Sequence, residues 1–329
     1  MRDKSQIIRP FHAAFFVALC VLAALCNVSA AMAQDAQGKR IALTFDDVPR
    51  QRGAFLSPDA RSERLIAALK TAGVVQAAFF LNPSRLRDPD GQGGETRIAA
   101  YVKAGHVIAN HTNTHPFLSK NTAADYLADI DVAAAWLKGR EGYRPWFRFP
   151  YLDEGGGDKV KRDAVRAGLK ARGLSNGYVT ADGSDYNLEA LTTEAVKAGK
   201  VIDMEKLRRL YVTTQMSGVA YHDELARLTL GRSPAHVLLM HETDLAALFI
   251  GDFVAELKRN GWTIITVDEA YADPIAQVMP DVPYSWGTLT GSMAWEKDIK
   301  PPLWPIWMGT DVQKLLFETR VLKKEKPTE

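Results

Sequence analysis

The chain has 329 residues, of which 47% are hydrophobic and 24% charged, a balance typical of a globular protein with one large or two small domains. Its 41 Lys and Arg nearly balance its 39 Asp and Glu, so the charge does not indicate a nucleic acid or an anionic surface as partner. The sequence contains no internal repeat and no low-complexity tract.

Residues 1–33 have the pattern of a secretory signal peptide. Arg2, Lys4 and Arg9 precede an apolar run at residues 13–25, and small residues follow as far as Ala33. We expect cleavage near residue 33, export to the periplasm or the medium, and no stable membrane insertion afterwards. The alternative is an uncleaved membrane anchor, which the short apolar run and the small-residue site disfavour.

Removal of this leader changes the charge and the available metal ligands. Lys plus Arg falls from 41 to 38 and Asp plus Glu from 39 to 38, so the mature chain has a net charge of 0. Both cysteines, Cys20 and Cys26, lie in the leader, which leaves the mature chain without a disulfide or a thiolate ligand. Any metal must then be held by histidine and carboxylate.

Predicted strands and helices alternate along most of the chain. In chain order these are a strand at 40–45, a helix at 57–72, a strand at 74–81, a helix at 98–104, a strand at 106–109, helices at 123–138 and 159–171, a strand at 178–180, a long helical passage at 188–230, a strand at 236–240, a helix at 246–259 and a strand at 262–267. Such alternation is typical of βα units around a parallel sheet or barrel, so we expect an α/β fold.

The pattern weakens after residue 271. We therefore expect a main domain at residues 38–271 and an irregular C-terminal extension at 272–329, with a short helix near 312–317. The extension is rich in proline and holds four of the seven tryptophans, Trp286, Trp295, Trp304 and Trp307. These side chains form either a sugar-stacking platform or ordinary packing contacts, and we favour packing because exposed aromatic rings are costly unless they bind something.

Polar residues follow several predicted strands, at the edge where α/β folds place reactive groups. They are Asp46, Asp47, His111, the segment 182–185, and His241. His111 and His115 are four residues apart, so in a helix their rings would lie on one face and could reach one ion. Two ligands do not make a site, and ordinary polar residues at a strand end are the alternative.

Asp47 completes a set of two histidines and one carboxylate. Three protein ligands leave positions open for water and substrate, as a catalytic metal requires, and imidazole suits Zn, Co, Ni or Fe. Asp46 could accept a proton from water, and His241 could protonate a leaving group. Arg148 could pair with a carboxylate and keep it ionised. These groups suit the attack of water on an amide or ester carbonyl.

Five segments resemble, in order, the five motifs of the polysaccharide deacetylase family, which is carbohydrate esterase family 4 with its NodB homology domain. The segments are residues 44–47, 111–115, 148–151, 182–186 and 237–241. The resemblance covers about residues 38–270. Each motif is weak alone, but five in this order and spacing are highly specific.

This resemblance implies a distorted (β/α) barrel that binds a divalent metal, with Zn²⁺ as the first expectation and Co²⁺ or another ion as alternatives. It implies three metal ligands: Asp47, His111 and His115. It also implies five residues that act on the reaction: Asp46 as base, Arg148 orienting Asp46, Tyr151 stabilising the oxyanion through its backbone N–H, His241 as acid and Asp185 holding the His241 ring.

One residue departs from the family pattern, since Tyr186 stands where the family often has tryptophan, and the acceptor pocket could differ there. Three histidines, His106, His222 and His236, have no motif role, and we expect them to be structural. For Asp182, which lies in the fourth segment, we expect an Asx-type loop.

The function that the sequence indicates is removal of acetyl groups from N-acetylated amino sugars of chitooligosaccharide, peptidoglycan or exopolysaccharide. The alternatives are an O-acetyl esterase on xylan-type polysaccharide, a cyclic-amide hydrolase, which the complete ligand trio disfavours, and a catalytically inactive carbohydrate-binding protein.

Overall fold

The structure is a computed structural model that describes residues 38–299 and 306–323. The predicted signal peptide and Trp304 lie outside the described residues, as does the side chain of Trp307. None of the helices in the described part of the chain combines the length and the apolar character needed to cross a membrane.

The described residues form ten strands and ten α-helices. The strands are β1 (Lys39–Val48), β2 (Ala78–Leu81), β3 (Val107–Asn110), β4 (Tyr143–Phe147), β5 (Asp153–Gly156), β6 (Ser175–Asn176), β7 (Ala181–Asp182), β8 (Ala235–His241), β9 (Trp262–Ile264) and β10 (Ser285–Trp286). The helices are α1 (Pro58–Thr71), α2 (Gly94–Lys103), α3 (Ala123–Leu137), α4 (Lys159–Ala171), α5 (Asp185–Lys197), α6 (Met204–Leu230), α7 (Asp244–Arg259), α8 (Val267–Tyr271), α9 (Leu289–Glu296) and α10 (Thr310–Leu316).

Eight of the strands form one curled, parallel sheet. Their order is β6-β4-β3-β2-β1-β8-β7, and β9 pairs with the start of β1. The long strand β1 is therefore central, and the sheet is a half-barrel with helices around it, as the expected distorted (β/α) barrel requires. Strands β5 and β10 form a separate antiparallel pair.

Both faces of the central strand are buried. Ile41, Leu43 and Phe45 pack into the main apolar core, whereas Ala42 packs into a second cluster on the other face. Successive residues of a strand point to opposite faces, which explains this division. A continuous apolar run such as 41–45 is typical of a parallel strand that is covered on both sides.

The register between β1 and β8 brings two predicted site residues together. Asp46 lies directly opposite His241, although the two are far apart in the sequence. Strand β7 pairs with the other side of β8 and carries the loop that leads to Asp185. The carboxyl ends of these three neighbouring strands thus form one edge of the site.

Several element boundaries differ from the sequence-based predictions. The predicted strand at 74–81 is only four residues long, because residues 74–77 are irregular and Val75 is 77% exposed. The predicted strand at 178–180 is replaced by β6 and β7 on either side of it. Strand β4 was not predicted, and neither was the β5–β10 pair.

The predicted helical passage at 188–230 is two helices, α5 and α6. The break includes Gly199, with a φ of 69°, and Asp203 caps the next helix by accepting a hydrogen bond from the N–H of Lys206. Residues 212–214 are regular helix within α6. The predicted irregular extension contains α9 and α10, and the latter matches the helix expected near 312–317.

Helix α6 packs closely against the loop that leads to Asp185. A Cβ atom at Gly218, in the middle of α6, would collide with the carbonyl oxygen of Asp182. Glycine costs about 1 kcal/mol relative to alanine inside a helix, so this position needs glycine for the close approach rather than for the helix.

We therefore expect Gly218→Ala to lower the free energy of unfolding by about 1–3 kcal/mol, the usual cost of overpacking. Urea unfolding followed by circular dichroism measures the change. The matched control is Gly251→Ala in α7, where a Cβ would meet nothing within 4 Å. That variant should be stabilised by up to about 1 kcal/mol. Equal effects of the two substitutions would contradict the close approach.

Candidate metal and catalytic site

Two neighbouring carboxylates end the central strand β1. Asp46 and Asp47 would point to opposite faces in a regular strand. Asp47 instead has a φ of 71°, and the pairing register with β2 shifts between Phe45 and Val48. This left-handed residue redirects the chain, so that both carboxylates lie near His111. A non-glycine residue in that conformation stores backbone strain, which is common at functional sites.

The segment that contains His111 and His115 is not a helix, contrary to the geometry considered from their spacing. Thr112 and His115 have φ values of 66° and 62°, and the Thr112 hydroxyl accepts a hydrogen bond from the N–H of His115 at 3.0 Å. Asp129 of α3 accepts hydrogen bonds from the N–H groups of residues 113 and 114. The loop thereby holds the two imidazoles 4.9 Å apart between ring centroids.

The three predicted metal ligands lie close together. Ligand atoms of Asp47, His111 and His115 all lie within 4.8 Å of one another. Oδ1 of Asp47 is 2.9 Å from Nε2 of His115 and 3.7 Å from Nε2 of His111. This oxygen is buried, and within the described part of the chain it accepts no hydrogen bond of good geometry. A buried acceptor beside two imidazole nitrogens fits a divalent cation.

The environment of His111 prepares its ring as a ligand. Nδ1 lies 2.9 Å from the carbonyl oxygen of Arg148, so this nitrogen carries the proton and Nε2 is free to bind a cation. Burial, with a smaller contribution from His115, holds the pKa of His111 well below its usual range. A neutral imidazole is the form that binds metals.

Two arginines that the sequence reasoning missed flank Asp47. Arg50 donates a hydrogen bond to Oδ2 of Asp47 at 2.7 Å, and Arg85 donates to its backbone oxygen at 2.9 Å. Burial acts to raise the pKa of Asp47, but His115, Arg50 and Arg85 outweigh it and hold the pKa well below its usual range. No motif at residues 50 or 85 marks these side chains, and only the fold brings Arg85 to the site.

Arg148 forms an ion pair with Asp46, as predicted for it. The Nη1 to Oδ1 distance is 2.6 Å, and both side chains are almost fully buried. Burial raises the pKa of Asp46 above its ordinary value, and Arg148 and His241 reverse this only in part. A carboxylate with a raised pKa next to a ligand set has the properties of a general base.

His241 forms a second pair with Asp185. Nδ1 of His241 is 2.7 Å from Oδ1 of Asp185, and the other carboxylate oxygen accepts the backbone N–H of His241 at 2.8 Å. Burial acts to lower the pKa of His241, but the charge and hydrogen bond of Asp185 outweigh it, so the pKa is raised. The ring is thus oriented by Nδ1 and favours the protonated form.

Tyr151 lies in a tight turn beside the ligands. Tyr151 and Leu152 both have left-handed backbone conformations, with φ values of 58° and 52°. The Tyr151 ring meets the His115 ring edge to face, with centroids 4.5 Å apart. The predicted oxyanion donor therefore lies in the turn that adjoins the ligand set.

Asp182 and Tyr186, on the segment that leads to and follows Asp185, have the positions that the sequence predicts. Asp182 accepts the N–H of Ser184 at 2.7 Å, as the expected Asx-type loop requires, and burial raises its pKa to about 6. Tyr186 packs edge to face against His241, with ring centroids 5.8 Å apart. It thus forms part of the wall on the acid side of the site.

We expect three histidines to be structural, and each of them forms a hydrogen bond with a group outside the ligand set. Nδ1 of His106 accepts the N–H of Ala77, while His222 and His236 each contact a threonine hydroxyl.

Comparison with known proteins shows what this chain is similar to. Residues 33–172, somewhat less than half of the chain, match the family model described as polysaccharide deacetylase. Of the residues brought together in the site, those from Asp46 to Tyr151 lie within the match, whereas Asp185 and His241 lie beyond it.

Two curated proteins are similar to this chain over most of its length. A peptidoglycan-N-acetylglucosamine deacetylase of Listeria monocytogenes is 24% identical over 238 residues, which are 72% of this chain but only 40% of the Listeria protein. A chitin deacetylase of Colletotrichum lindemuthianum is 24% identical over 236 residues, 71% of this chain and 79% of that protein. The solved structure of a chitin deacetylase from that fungus superposes with a TM-score of 0.48 at 22% identity, covering 73% of this chain and 90% of the other.

The ligand set predicts how metal binding responds to substitution. We expect His111→Ala and His115→Ala each to weaken binding of Zn²⁺ by more than about a hundredfold, because even residues that only orient a ligand contribute tenfold to a hundredfold. Titration calorimetry on protein stripped of metal measures this affinity.

His241→Ala is the matched control, since it removes an imidazole that is not in the ligand set. This variant should bind Zn²⁺ as the unmodified protein does. A loss of affinity in His241→Ala equal to that in His111→Ala would contradict the assignment of ligands.

Proposed function

We propose that this protein is a metal-dependent hydrolase that removes acetyl groups from N-acetylated amino sugars of a poly- or oligosaccharide. The observation that carries the proposal is the register of β1 and β8, in which Asp46 lies opposite His241 and next to the ligand Asp47. A base and an acid then stand beside one three-ligand cation site.

Asp46 is the group that accepts a proton from the attacking water. Its pKa is raised by burial, so the carboxylate is a stronger base than an exposed aspartate. Arg148 keeps it ionised and fixes its orientation through the 2.6 Å contact. The remaining oxygen, Oδ2, lies 3.6 Å from Nε2 of His111, next to the ligand set.

His241 is the group that donates a proton to the leaving nitrogen as the C–N bond breaks. Asp185 raises the pKa of this imidazole and holds Nδ1, so that Nε2 is the atom available to the substrate. Without that proton, the departing group would be an amide anion, which leaves far more slowly than an amine.

The backbone N–H of Tyr151 is proposed to donate a hydrogen bond to the oxygen of the substrate carbonyl as negative charge develops there. When bound by Asp47, His111 and His115, a divalent cation polarises the carbonyl and lowers the pKa of water. Zn²⁺ is the ion that we propose first, because two imidazoles and one carboxylate are ligands that catalytic zinc uses. Co²⁺ suits the same ligands.

The proposed substrates are peptidoglycan, chitooligosaccharide and exopolysaccharide, all of which carry acetamide groups. The similarity to a peptidoglycan-N-acetylglucosamine deacetylase and to a chitin deacetylase supports this class. The leader-like residues 1–33 support export to the periplasm or the medium, where such polymers are found.

Acetate release across a panel of polymers tests the proposal. We expect acetate from chitooligosaccharides or peptidoglycan fragments, loss of activity after dialysis against a chelator, and recovery with Zn²⁺ or Co²⁺. His241→Ala should lower kcat by about 10²- to 10⁴-fold, the usual contribution of a general acid.

Three outcomes of this panel would contradict the proposal. Undiminished activity after removal of metal, verified by elemental analysis, would exclude the cation site from the reaction. Acetate release from acetylated xylan alone would assign an O-acetyl esterase instead. Tight sugar binding without turnover under any divalent ion would indicate a binding protein.

The dependence of kcat on pH tests the role of Asp185. Because Asp185 raises the pKa of His241, Asp185→Asn should lower that pKa. The acid must be protonated to act, so activity is lost as pH rises through this pKa. The alkaline limb of the profile should therefore move to lower pH in the variant.

Asp131→Asn is the matched control for this profile. Asp131 is a half-exposed carboxylate that pairs with Arg172 at 2.6 Å, away from the site. Its loss should leave the alkaline limb in place. An alkaline limb that does not move in Asp185→Asn would show that His241 is not the acid held by Asp185.

A further inference from the structure

Four aromatic side chains form a continuous row that begins at the ligand set. The ring of Tyr151, beside His115, stacks on Phe117 with centroids 3.6 Å apart and an interplanar angle of 2°. Phe117 is 6.0 Å from Trp286, and Trp286 is stacked with Tyr284 at 6.3 Å and 10°. We refer to Tyr151, Phe117, Trp286 and Tyr284 as the aromatic row.

Backbone pairing fixes the row in place. Trp286 lies in β10, which pairs with β5 so that Trp286 is opposite Asp153, and the N–H of Gly287 donates to the carbonyl of Leu152 at 3.1 Å. The C-terminal segment is therefore tied to the turn that carries Tyr151. The buried carboxylate of Asp153 also accepts the N–H of Ser119, which ties the Phe117 loop to the same strand.

The glycine cluster at residues 155–157 supports the far end of the row. Gly156 has a φ of 59°, and a Cβ added there would lie 3.3 Å from the Tyr284 ring. Tyr284 therefore rests on the bare backbone of β5 and stays partly exposed. The contact between Gly156 and Tyr284 gives a structural reason for the glycine cluster, which has no proposed catalytic role.

Three of the four rings are exposed and Phe117 is half-buried, so Trp286 lacks the buried packing position expected for the C-terminal tryptophans. Tyr151, Tyr284 and Trp286 are 45%, 46% and 41% exposed. Exposed aromatic rings in a rigid, contiguous arrangement are typical of binding surfaces. The rings themselves carry no charge, and within the described residues the one cation over the row, Nζ of Lys120, lies 4.2 Å from the centroid of Phe117. The exposed rings of Trp286 and Tyr284 therefore suit a neutral ligand with apolar faces.

We propose that the aromatic row binds the sugar units of an extended glycan that lie beyond the unit losing its acetyl group. This inference rests on the proposed function, since the row is continuous with the site through Tyr151 and His115. The C–H face of a pyranose ring is apolar and weakly positive, which matches the negative face of an aromatic ring. The C-terminal segment thus selects long oligosaccharides over short ones.

Steady-state kinetics on N-acetylated chitooligosaccharides of two to six units test this inference. In Trp286→Ala we expect KM for the hexamer to rise about three- to tenfold, the range that one aromatic contact supplies, with a smaller change in kcat. The increase should grow with chain length. Trp286→Phe, which keeps an aromatic face, should restore most of the affinity for the hexamer.

The matched control is Trp295→Ala. Trp295 is 43% exposed, close to the exposure of Trp286, but it lies on α9 outside the row. Its loss should leave KM for the hexamer unchanged. A KM in Trp286→Ala that is the same as in the unmodified protein at every chain length would overturn the inference, as would equal effects of the two substitutions.

Direct binding separates this inference from the proposed function. Tryptophan fluorescence is titrated with the chitin hexamer, which needs no turnover. If the protein releases no acetate but hexamer binding is lost in Trp286→Ala and kept in Trp295→Ala, the aromatic row stands and the proposed function fails. Hexamer binding that is unaffected by Trp286→Ala overturns the row as a glycan platform, and so does a Trp286-dependent dimer that covers it.

Discussion

A buried ion pair between Arg148 and Asp46 connects the parts of the site. The guanidinium donates to Asp46 and Thr44 on β1, to the carbonyl of Gly177 and to the hydroxyl of Tyr271 on α8, and it lies 3.8 Å over the ring of Phe80. Removing one partner of such a pair leaves an uncompensated buried charge, at a cost of roughly 3–5 kcal/mol. The fold around the site and the ionised state of Asp46 therefore depend on the same ion pair. Arg148 also orients His111, because its backbone carbonyl oxygen lies 2.9 Å from Nδ1 of that ring.

Two adjacent carboxylates repel each other, and the structure gives them different partners. Asp46 forms an ion pair with Arg148, whereas Asp47 lies against His115, Arg50 and Arg85. The pKa of Asp46 is raised and the pKa of Asp47 is lowered. One carboxylate is thereby suited to accept a proton and the other to remain charged as a ligand. The left-handed conformation of Asp47 makes this division possible, because it brings two consecutive residues to one edge of the strand.

Much of this arrangement could be predicted from sequence, because a parallel sheet places strand ends at one edge. Asp46, His111 and His241 each follow an apolar run, and alternation of strands and helices indicates that sheet. The spacing of His111 and His115 suggested a helix, whereas two left-handed residues and Asp129 shape the loop. Arg85 and Trp286 could not be found, because their roles depend on contacts between distant segments. The break near Gly199 did have a local signal, Ala198-Gly199-Lys200, although the apolar pattern on either side concealed it.

Anomalous diffraction from a crystal grown with Zn²⁺ shows whether three residues on two separate segments hold one cation between a base and an acid. This ligand set predicts one strong peak at about 2.0–2.2 Å from Oδ1 of Asp47 and Nε2 of both His111 and His115, with a coordination position open toward Asp46. A fully occupied zinc ion held by other residues, or no peak among these three at saturating Zn²⁺, would contradict it.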